Sequence, residues 1–543
     1  MDFQRLFLFL IFSFSALLLW DGWQRYQHPT PVPVSTNITV EKNQQAAIGT
    51  VSPSANNIDK NVEGQANSLS AKKIVVHTDN LLVEINTIGG DIQRVELLQH
   101  KDAINKNKNF VLLQRSENHN YVAQSGLIGD GLPNHKTLYT SVSDEFSLAE
   151  GLDTLTVRLV ATPSVNKIFT FHRGSYVVDV GYEINNSGPN AINASAYYQL
   201  VRDEGAYGGE SKLVPTYTGP AIYTDKEKFQ KVEFSSIEKN KTSYPKNTDS
   251  GWIAILQHYF VAAWLPPEKL NREYYTKSLG NKQFSIGAIL PIQTIESGQK
   301  GGISASLYVG PATSKLDDIA PGLGKTVDYG WLTIIATPLF WLLTQIHGLV
   351  HNWGGAIIIL TFLIKLAFFP LSAASYRSMA RMRLVAPKLE RIKQQYSDDR
   401  EKLNRAMMEL YKVEKINPLG GCLPMVIQIP VFISLYWAIL SSVELRHAPF
   451  IGWITDLSAA DPYYVLPAIM GISMLVQSKL SPAPPDPLQA KLMQLMPVIF
   501  SVVFFFFPAG LVLYSVVNNI LSITQQWYIT RKQETGLKVA SKS

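Results

Sequence analysis

Gly354-Gly-Ala-Ile-Ile-Ile-Leu-Thr-Phe-Leu-Ile-Lys-Leu-Ala-Phe-Phe-Pro-Leu371 decides the fold. The stretch approaches the ~20 residues that a helix needs to cross hydrocarbon, and its one charged residue is Lys365. An ammonium at depth in a spanning helix costs about 2.5–3.5 kcal/mol on insertion scales. A lysine there either faces a wet cavity or a functional partner, or lies near one end of its span and carries its charge out to the headgroups. Polar groups at matching depth on neighbouring spans distinguish the two.

Working outward gives a membrane map. Leu6 to Trp20 is apolar and is followed by no small-residue cleavage site, so residues 1–27 read as an uncleaved signal anchor. The tract from Trp331 to Leu371, interrupted by Gln345-Ile-His347 and His351-Asn-Trp353, is too long for one crossing. Further candidate spans cover 423–443, 463–480, 492–507 and 511–528, the last two returning tightly at Pro508-Ala-Gly510. Orientation follows from Lys and Arg in short loops. Residues 372–422 carry Arg377, Arg381, Arg383, Lys388, Arg391, Lys393, Arg400, Lys402, Arg405, Lys412 and Lys415, and the tail 529–543 carries Arg531, Lys532, Lys538 and Lys542. Both are expected in the cytoplasm, with the loop 481–491. The loop 444–462 holds a single such residue, Arg446, and is expected outside. Parity then makes 353–371 a span and lays 326–352, broken by Pro338, in the outer interface as an amphipathic helix. The count is six spans with both termini inside.

On this map the polar residues align. Lys365 and Thr361 share a helix face near the cytoplasmic end of their span. Gln428 lies at similar depth on the next, and Asn518, Asn519, Gln525 and Gln526 occupy the inner half of the last. Leu435-Tyr-Trp-Ala438 and Phe504-Phe-Phe-Phe507 close the outer halves. The expectation is a hydrophilic pocket open to the cytoplasm. The alternative for each residue singly is helix-to-helix hydrogen bonding.

Residues 28–70, rich in Pro, Asn, Gln and Ser, read as a flexible linker. Residues 71–325 show strand signals at Leu81–Ile85, Leu155–Leu159, Lys167–Phe171 and Tyr176–Ile184, with Asn185-Asn-Ser-Gly188 as a turn, enough for one large β-sandwich. His172 and His258 are isolated from any catalytic partner motif. Gly205-Ala-Tyr-Gly-Gly-Glu-Ser-Lys212 lacks the ending of a phosphate loop and reads as a surface loop. In the basic loop, Met382, Ala386, Leu389, Ile392 and Tyr396, then Leu403, Met407, Leu410 and Val413, recur at helical steps around Ser397-Asp-Asp399. They predict an antiparallel helical hairpin with a coiled-coil seam, kinked or interrupted at Pro387.

The 543 residues are 46% hydrophobic and 11% aromatic, intermediate between soluble and membrane compositions. The net charge of +6 is concentrated on one side of the membrane, which speaks of topology rather than sequence-specific nucleic-acid binding, although a basic cytoplasmic surface also suits ribosomal RNA. The single cysteine, Cys422, excludes an intramolecular disulfide and leaves no cysteine-based metal site.

Residues 328–530 resemble the YidC family of membrane protein insertases, and the whole chain resembles its Gram-negative members. The resemblance rests on Asn417-Pro-Leu-Gly-Gly-Cys-Leu-Pro424 with Gln428-Ile-Pro430, on Asp461-Pro-Tyr-Tyr-Val-Leu-Pro467, on Met496-Pro-Val498 and on Phe507-Pro-Ala-Gly-Leu-Val-Leu-Tyr514. Outside the membrane, Gly251-Trp-Ile-Ala-Ile-Leu-Gln-His-Tyr-Phe260 and Leu307-Tyr-Val-Gly-Pro311 also match. The resemblance implies a polytopic α-helical membrane protein with six spans, five of them an insertase core, plus a periplasmic all-β supersandwich similar in fold to sugar mutarotases. It implies an intramembrane cation, usually Arg, at Lys365, and a second aromatic where Ser515 stands. Lysine keeps the charge and loses the planar, bidentate fork.

The reading is a non-enzymatic insertase and chaperone of the bacterial inner membrane with no cofactor and no metal. Lys365, Thr361, Gln428, Asn518, Asn519 and Tyr514 would form the client-binding groove. The resemblance further implies nascent inner-membrane clients, the Sec translocon, the ribosome and signal-recognition targeting factors, and lipids as partners, with Arg391, Lys393, Arg400 and Lys402 on the hairpin meeting ribosome or targeting factor. Alternatives are a secondary transporter using Lys365, and a membrane-anchored carbohydrate-binding protein built on residues 71–325.

Overall fold

The computed structural model of the protein describes residues 71–103, 105–117, 119–205, 217–396, 399–414, 423–480 and 487–540. The expected anchor, the linker 28–70, the loop at 206–216, Cys422 and most of the motif that contains it lie outside the described residues.

Strand alternation builds the first part. Leu81, Val83 and Ile85 of Leu81–Asn86 turn inward while their neighbours turn out, and Val165–His172 repeats the pattern. Among the described residues one sheet has ten strands. It runs from Asn247–Thr248 through Arg272–Gly280, Gln283–Pro291, Ser195–Asp203, Asn120–Ile128, Asn109–Arg115, Asp91–Lys101, Leu81–Asn86 and Lys73–His77 to Glu145–Ser147. The other has nine, with Lys228–Lys231 and Thr140–Ser141 at its edges and Phe260–Leu265, Lys300–Pro311 and Val177–Asn185 at its centre. The neighbouring strands are antiparallel apart from the pairing of Lys73–His77 with Glu145–Ser147. Ile74, Val83, Leu97 and Tyr198 of the first sheet share one core with Phe169, Val180, Trp264 and Val309 of the second, each at most 2% exposed. One helical turn, α1 (Phe234–Glu238), adds Phe234 and Ile237 to that core.

The second part is helical: α2 (Thr333–Val350), α3 (Trp353–Ala367), α4 (Phe369–Gln395), α5 (Arg400–Val413), α6 (Leu423–Ser441), α7 (Val465–Leu480), α8 (Pro487–Phe504) and α9 (Ala509–Ala540). Helix α9 is central and packs against α3, α4, α6 and α7. The helices turn large apolar side chains outward, among them Phe362 on α3, Ile472 on α7, Val498 on α8 and Ile520 on α9, each about half exposed or more. Apolar surface on this scale matches hydrocarbon rather than water. Among the described residues, α2 alone is long and apolar enough to cross a membrane by itself, α3 and α4 satisfy the requirement together, and Val426–Ser441, Val465–Leu480 and Gln494–Phe504 are shorter apolar helices.

Two local expectations are corrected, the straight span and the hairpin seam. Residues 353–371 are not one straight helix: α3 and α4 meet at Phe368 with a bend of 67°. The ring of Pro370 cannot follow a continuous helix without striking the carbonyl of Leu366, and it sits instead in the first turn of α4, where its missing N–H costs nothing. Pro387 lies inside α4 without ending it. The hairpin seam uses Val385, Leu389 and Tyr411, with Met382, Met407 and Leu410 beside them, while Ala386 and Val413 face solvent. At Ala386 the adjacent, bulkier Val385 fills the seam instead. Helix α2 buries Ala336, Phe340, Leu343 and Ile346 and exposes Ile334, Trp341 and Leu349 beside Thr337 and Gln345.

The two parts share packed surface. Tyr223, Trp252, Ala263 and Tyr308 of the nine-stranded sheet belong to the same buried cluster as Phe340, Leu435 and Leu511. Polar ties reinforce it: Ser441 Oγ donates to the carbonyl of Asp328 at 2.7 Å, the Lys231 ammonium binds the Asp328 carboxylate, and His258 Nε2 lies 2.9 Å from the carbonyl of Leu440.

Candidate functional site: polar contacts between the helices

Lys365 occupies the last turn of α3, where free carbonyls favour a cation. It is 9% exposed, and its Nζ donates to Ser522 Oγ on α9 at 2.7 Å. Ser522 Oγ in turn donates to the carbonyl of Asn518 at 2.8 Å, one turn earlier. The ammonium is therefore aimed at α9 rather than along its own helix. Tyr376 of α4, also buried, reaches the same serine.

Two turns before Ser522 on the same face, Tyr514 is 1% exposed and its hydroxyl accepts a hydrogen bond from Gln428 Nε2 of α6. Asn518 lies between them in sequence, and its Oδ1 is buried with no hydrogen-bond partner. Tyr514, Asn518 and Ser522 thus form a stripe on α9 with Gln428 at one end and Lys365 at the other. Aromatic rings close the end of the stripe at Tyr514: Phe432 lies 6.5 Å from Tyr514 and 6.3 Å from Phe504, Phe507 lies 5.7 Å from Phe504, and Tyr436 meets Phe507 edge-on at 5.4 Å.

Two expected groove residues turn elsewhere. Thr361 is fully buried and its Oγ1 donates to the carbonyl of Ile357 at 2.6 Å, one turn back on its own helix. Asn519 faces α7 and donates from Nδ2 to Ser473 Oγ at 2.8 Å. Farther along, Gln477 donates to Gln526 Oε1 at 2.6 Å, and Gln526 Nε2 donates to the carbonyl of Leu480 at 2.9 Å. This second polar seam, between α7 and α9, binds helix to helix. Ser522 and Tyr376 were not singled out from sequence, yet Ser522 stands at i+4 from Asn518 and i+8 from Tyr514, the spacing that betrays a shared face.

The return between α8 and α9 is fixed by backbone contacts. Ala509 N donates to the carbonyl of Ala459 at 2.7 Å and Gly510 N to that of Leu457 at 2.9 Å. A Cβ on Gly510 would stand 3.1 Å from that same oxygen, so the approach favours glycine. Asp461, 1% exposed, accepts from Trp453 Nε1, Tyr463 N and Leu466 N and pins the start of α7.

On the hairpin, Lys402 Nζ lies 3.1 Å from Asp399 Oδ2, and Asp399 Oδ1 caps α5 by accepting from the backbone N–H of Glu401 and Lys402. Arg391 is exposed and Lys393 half-exposed, while the Arg400 side chain lies outside the described residues. Lys388 and Glu414 pair across the two arms at 2.6 Å.

Comparison with known proteins covers both parts. The profile described as the YidC periplasmic domain matches residues 73–342, and that described as the 60Kd inner membrane protein matches residues 345–536. The chain is 54% identical over 544 residues to a membrane protein insertase YidC of Methylobacillus flagellatus, spanning 98% of each chain. It is likewise 54% identical to the insertase YidC of Aromatoleum aromaticum, over 99% of this chain and 100% of that one. A solved structure of an active YidC insertase with its first transmembrane domain resolved covers 85% of this chain and 93% of its own, at 20% identity and a TM-score of 0.40.

Proposed function

The chain belongs to the YidC family of membrane protein insertases, and we propose that it inserts its clients through a polar groove lined by Lys365, Asn518, Tyr514 and Gln428 and opening toward the cytoplasm. It is an inner-membrane protein with a β-rich periplasmic domain and a helical C-terminal part, an insertase of membrane proteins rather than an enzyme. The observation that carries the groove is the buried Lys365 ammonium turned onto the Tyr514–Asn518–Ser522 stripe beneath the aromatic closure. A client's short hydrophilic segment would exchange hydration for these groups within the inner leaflet, while its apolar segment slides along α3, α6 and α8 into lipid. Lys365 would attract acidic tails. Thr361 would shape the wall through its backbone bond, and Asn519 would hold α7 in place.

The finer architecture in this reading is six spans, with α2 at the outer interface and the sandwich as a supersandwich, a shape that its ten- and nine-stranded sheets support. The basic hairpin and tail would lie in the cytoplasm, where Arg391, Lys393, Arg400 and Lys402 meet the ribosome and signal-recognition factors. The Sec translocon and membrane lipids would be further partners. With client partitioning and the membrane potential as driving forces, each charge moved is worth about 2.3 kcal/mol per 100 mV. The test is reconstitution of the purified protein in liposomes with a short single-span client. Insertion that depends on Lys365 for an acidic tail supports the groove. Insertion indifferent to Lys365, Gln428 and Tyr514 alike would refute it.

A further inference from the structure

Toward the C-terminal end of α9 an open cavity of about 280 Å³ is lined by Arg383 of α4, Leu480 at the end of α7, and Trp527, Thr530 and Arg531 of α9. None of these five residues is acidic. Three helices are tied together beside it. Arg383 donates from Nη2 to the carbonyls of Lys479, at 3.3 Å, and Leu480, and Gln526 Nε2 donates to the same Leu480 carbonyl at 2.9 Å. The last carbonyls of α7, which no further turn of helix can satisfy, are thereby capped by side chains of α4 and α9. The cavity is built on fixed backbone rather than on loose surface side chains.

Its two guanidiniums suit an anion. Arg383 is half-buried, and its Nε and Nη1 donors take no part in any hydrogen bond among the described residues. Arg531 stacks on the Trp527 ring, with its guanidinium carbon 5.2 Å from the ring centre. Stacking engages the face of a guanidinium, whereas oxyanions are held at its N–H edge, so the ring orients the group without taking the anion's place. Lys479 and Lys532, both exposed, adjoin Leu480 and Arg531 in sequence and add positive potential. Two guanidiniums from different helices, at a cavity lined by no carboxylate, have the form of a phosphate site.

The surroundings select which phosphate. Along α9, exposed Ile520 gives way to exposed Trp527 and Tyr528 and then to Arg531 and Lys532. Along α7, exposed Ile472, Leu475 and Val476 give way to Lys479. Apolar surface that passes through aromatic rings to basic residues marks the level of lipid headgroups. The bonds from Gln526 to Gln477 and to Leu480 hold the two helices in register there, beside the cavity. A volume at the lower edge of the ~300–1,000 Å³ of small-molecule sites suits a headgroup whose acyl chains stay outside in lipid. We propose that this cavity binds the phosphate of an anionic phospholipid, with Arg383 and Arg531 holding its oxygens and Trp527 lying against its glycerol. The site rests on the reading of these helix ends as the cytoplasmic surface of the membrane, and lipid binding is measured apart from insertion, so that either can fail alone.

The experiment titrates the full chain, in a neutral detergent free of phosphate, with dioleoylphosphatidylglycerol or dioleoylphosphatidylcholine and counts bound lipids by native mass spectrometry. The expected result is saturable binding of phosphatidylglycerol about tenfold or more tighter than that of phosphatidylcholine. Arg383→Gln and Arg531→Gln should each erase most of that preference. Lys412→Gln, which removes an equal charge from an exposed position on α5, should leave it unchanged. Arg531 is exposed, so Arg531→Gln decides the matter should Arg383→Gln fail to fold. Equal affinity for the two lipids, an unchanged preference in folded Arg531→Gln, or a loss as large in Lys412→Gln would each overturn the proposal. So would displacement of phosphatidylglycerol by equimolar inorganic phosphate or by an equimolar polyglutamate peptide, which would make the site one for free anions or for acidic chains.

Discussion

The ammonium of Lys365 and the hydroxyl of Ser522 lie 2.7 Å apart across 157 residues of sequence, joining the end of α3 to the middle of α9. The contact turns the one charge of an apolar helix inward, and it makes that charge testable by substitution at either end.

Lys365→Arg keeps charge and reach, and acidic-tail clients should insert at near wild-type levels. Lys365→Ala should cut insertion of a client bearing Asp or Glu in its tail severalfold more than that of a neutral-tail twin, and Lys365→Glu should be worse through like-charge repulsion. Liposome insertion of the matched pair at equal protein level measures this. Full activity of Lys365→Ala on the acidic client would remove the charge from the mechanism.

Ser522→Ala leaves a buried ammonium short of one acceptor, a cost of about 1–3 kcal/mol. A lowered melting temperature is expected, and Ser522→Thr should restore it. An unchanged melting temperature for Ser522→Ala would mean that the contact adds nothing to the fold.

Tyr514→Phe keeps the ring against Phe432 but strands Gln428 Nε2, so a small loss of about 1 kcal/mol is expected. Tyr514→Ala also empties a buried ring site, with an expected cost of about 3–5 kcal/mol. Chemical denaturation of the two variants should separate them; equal losses would show that the ring contributes nothing beyond its hydroxyl.

Arg446 of the loop between α6 and α7 stands 5.4 Å from the ring centre of Phe260, 5.5 Å from Phe110 and 5.8 Å from Tyr259, which fastens the β-domain to the helices. His100, edge-on to Phe260 and 3.2 Å from the Tyr176 hydroxyl, has its pKa pushed down to about 4, first by burial and then by Arg446 and His447. A depressed folded pKa means the neutral imidazole stabilises docking fully above its ordinary value of about 6.5, with the stability lost as pH falls toward 4, at most about 3 kcal/mol. Limited proteolysis of the joint between pH 7 and 4.5 should show this opening, and His100→Phe should flatten it. A pH profile identical in wild type and His100→Phe would place the sensitivity elsewhere.

Deletion of about residues 80–300, keeping Ala312 onward, should preserve insertion, because the groove contacts all lie beyond residue 350. It should also lower thermal stability, since Tyr223, Trp252 and Ala263 would no longer cover the cluster shared with Leu435 and Leu511. Removal of residues 380–412 should impair insertion from ribosomes more than insertion of a purified client. Complete loss of insertion by a stably expressed form of either deletion would show that the removed part is structural for the groove.

The sequence by itself determined the class of protein and the kinds of element. Alternation at Leu81, Val83 and Ile85 marks a strand because side chains on a pleated ribbon have a period of two. The apolar run at 354–371 marks a hydrocarbon-facing helix because burying backbone polar groups in lipid requires one. The motifs from Asn417 to Tyr514 carried the family. The tertiary structure decided everything that depends on direction. Thr361 and Asn519 carry the polar chemistry expected of the groove, yet one bonds its own helix and the other faces α7, because rotation about a helix axis is set by packing and not by composition. The partner of Lys365 proved to be Ser522, a residue too ordinary to stand out, since any serine can accept a hydrogen bond and only a neighbouring helix brings this one within reach. In the ten-stranded sheet Tyr275, Gln199, Gln124 and Asp91, from four strands distant in sequence, hydrogen-bond in a row, an order that exists only where sheet pairing sets Gln199 against Gln124 and Gly287 beside Tyr275.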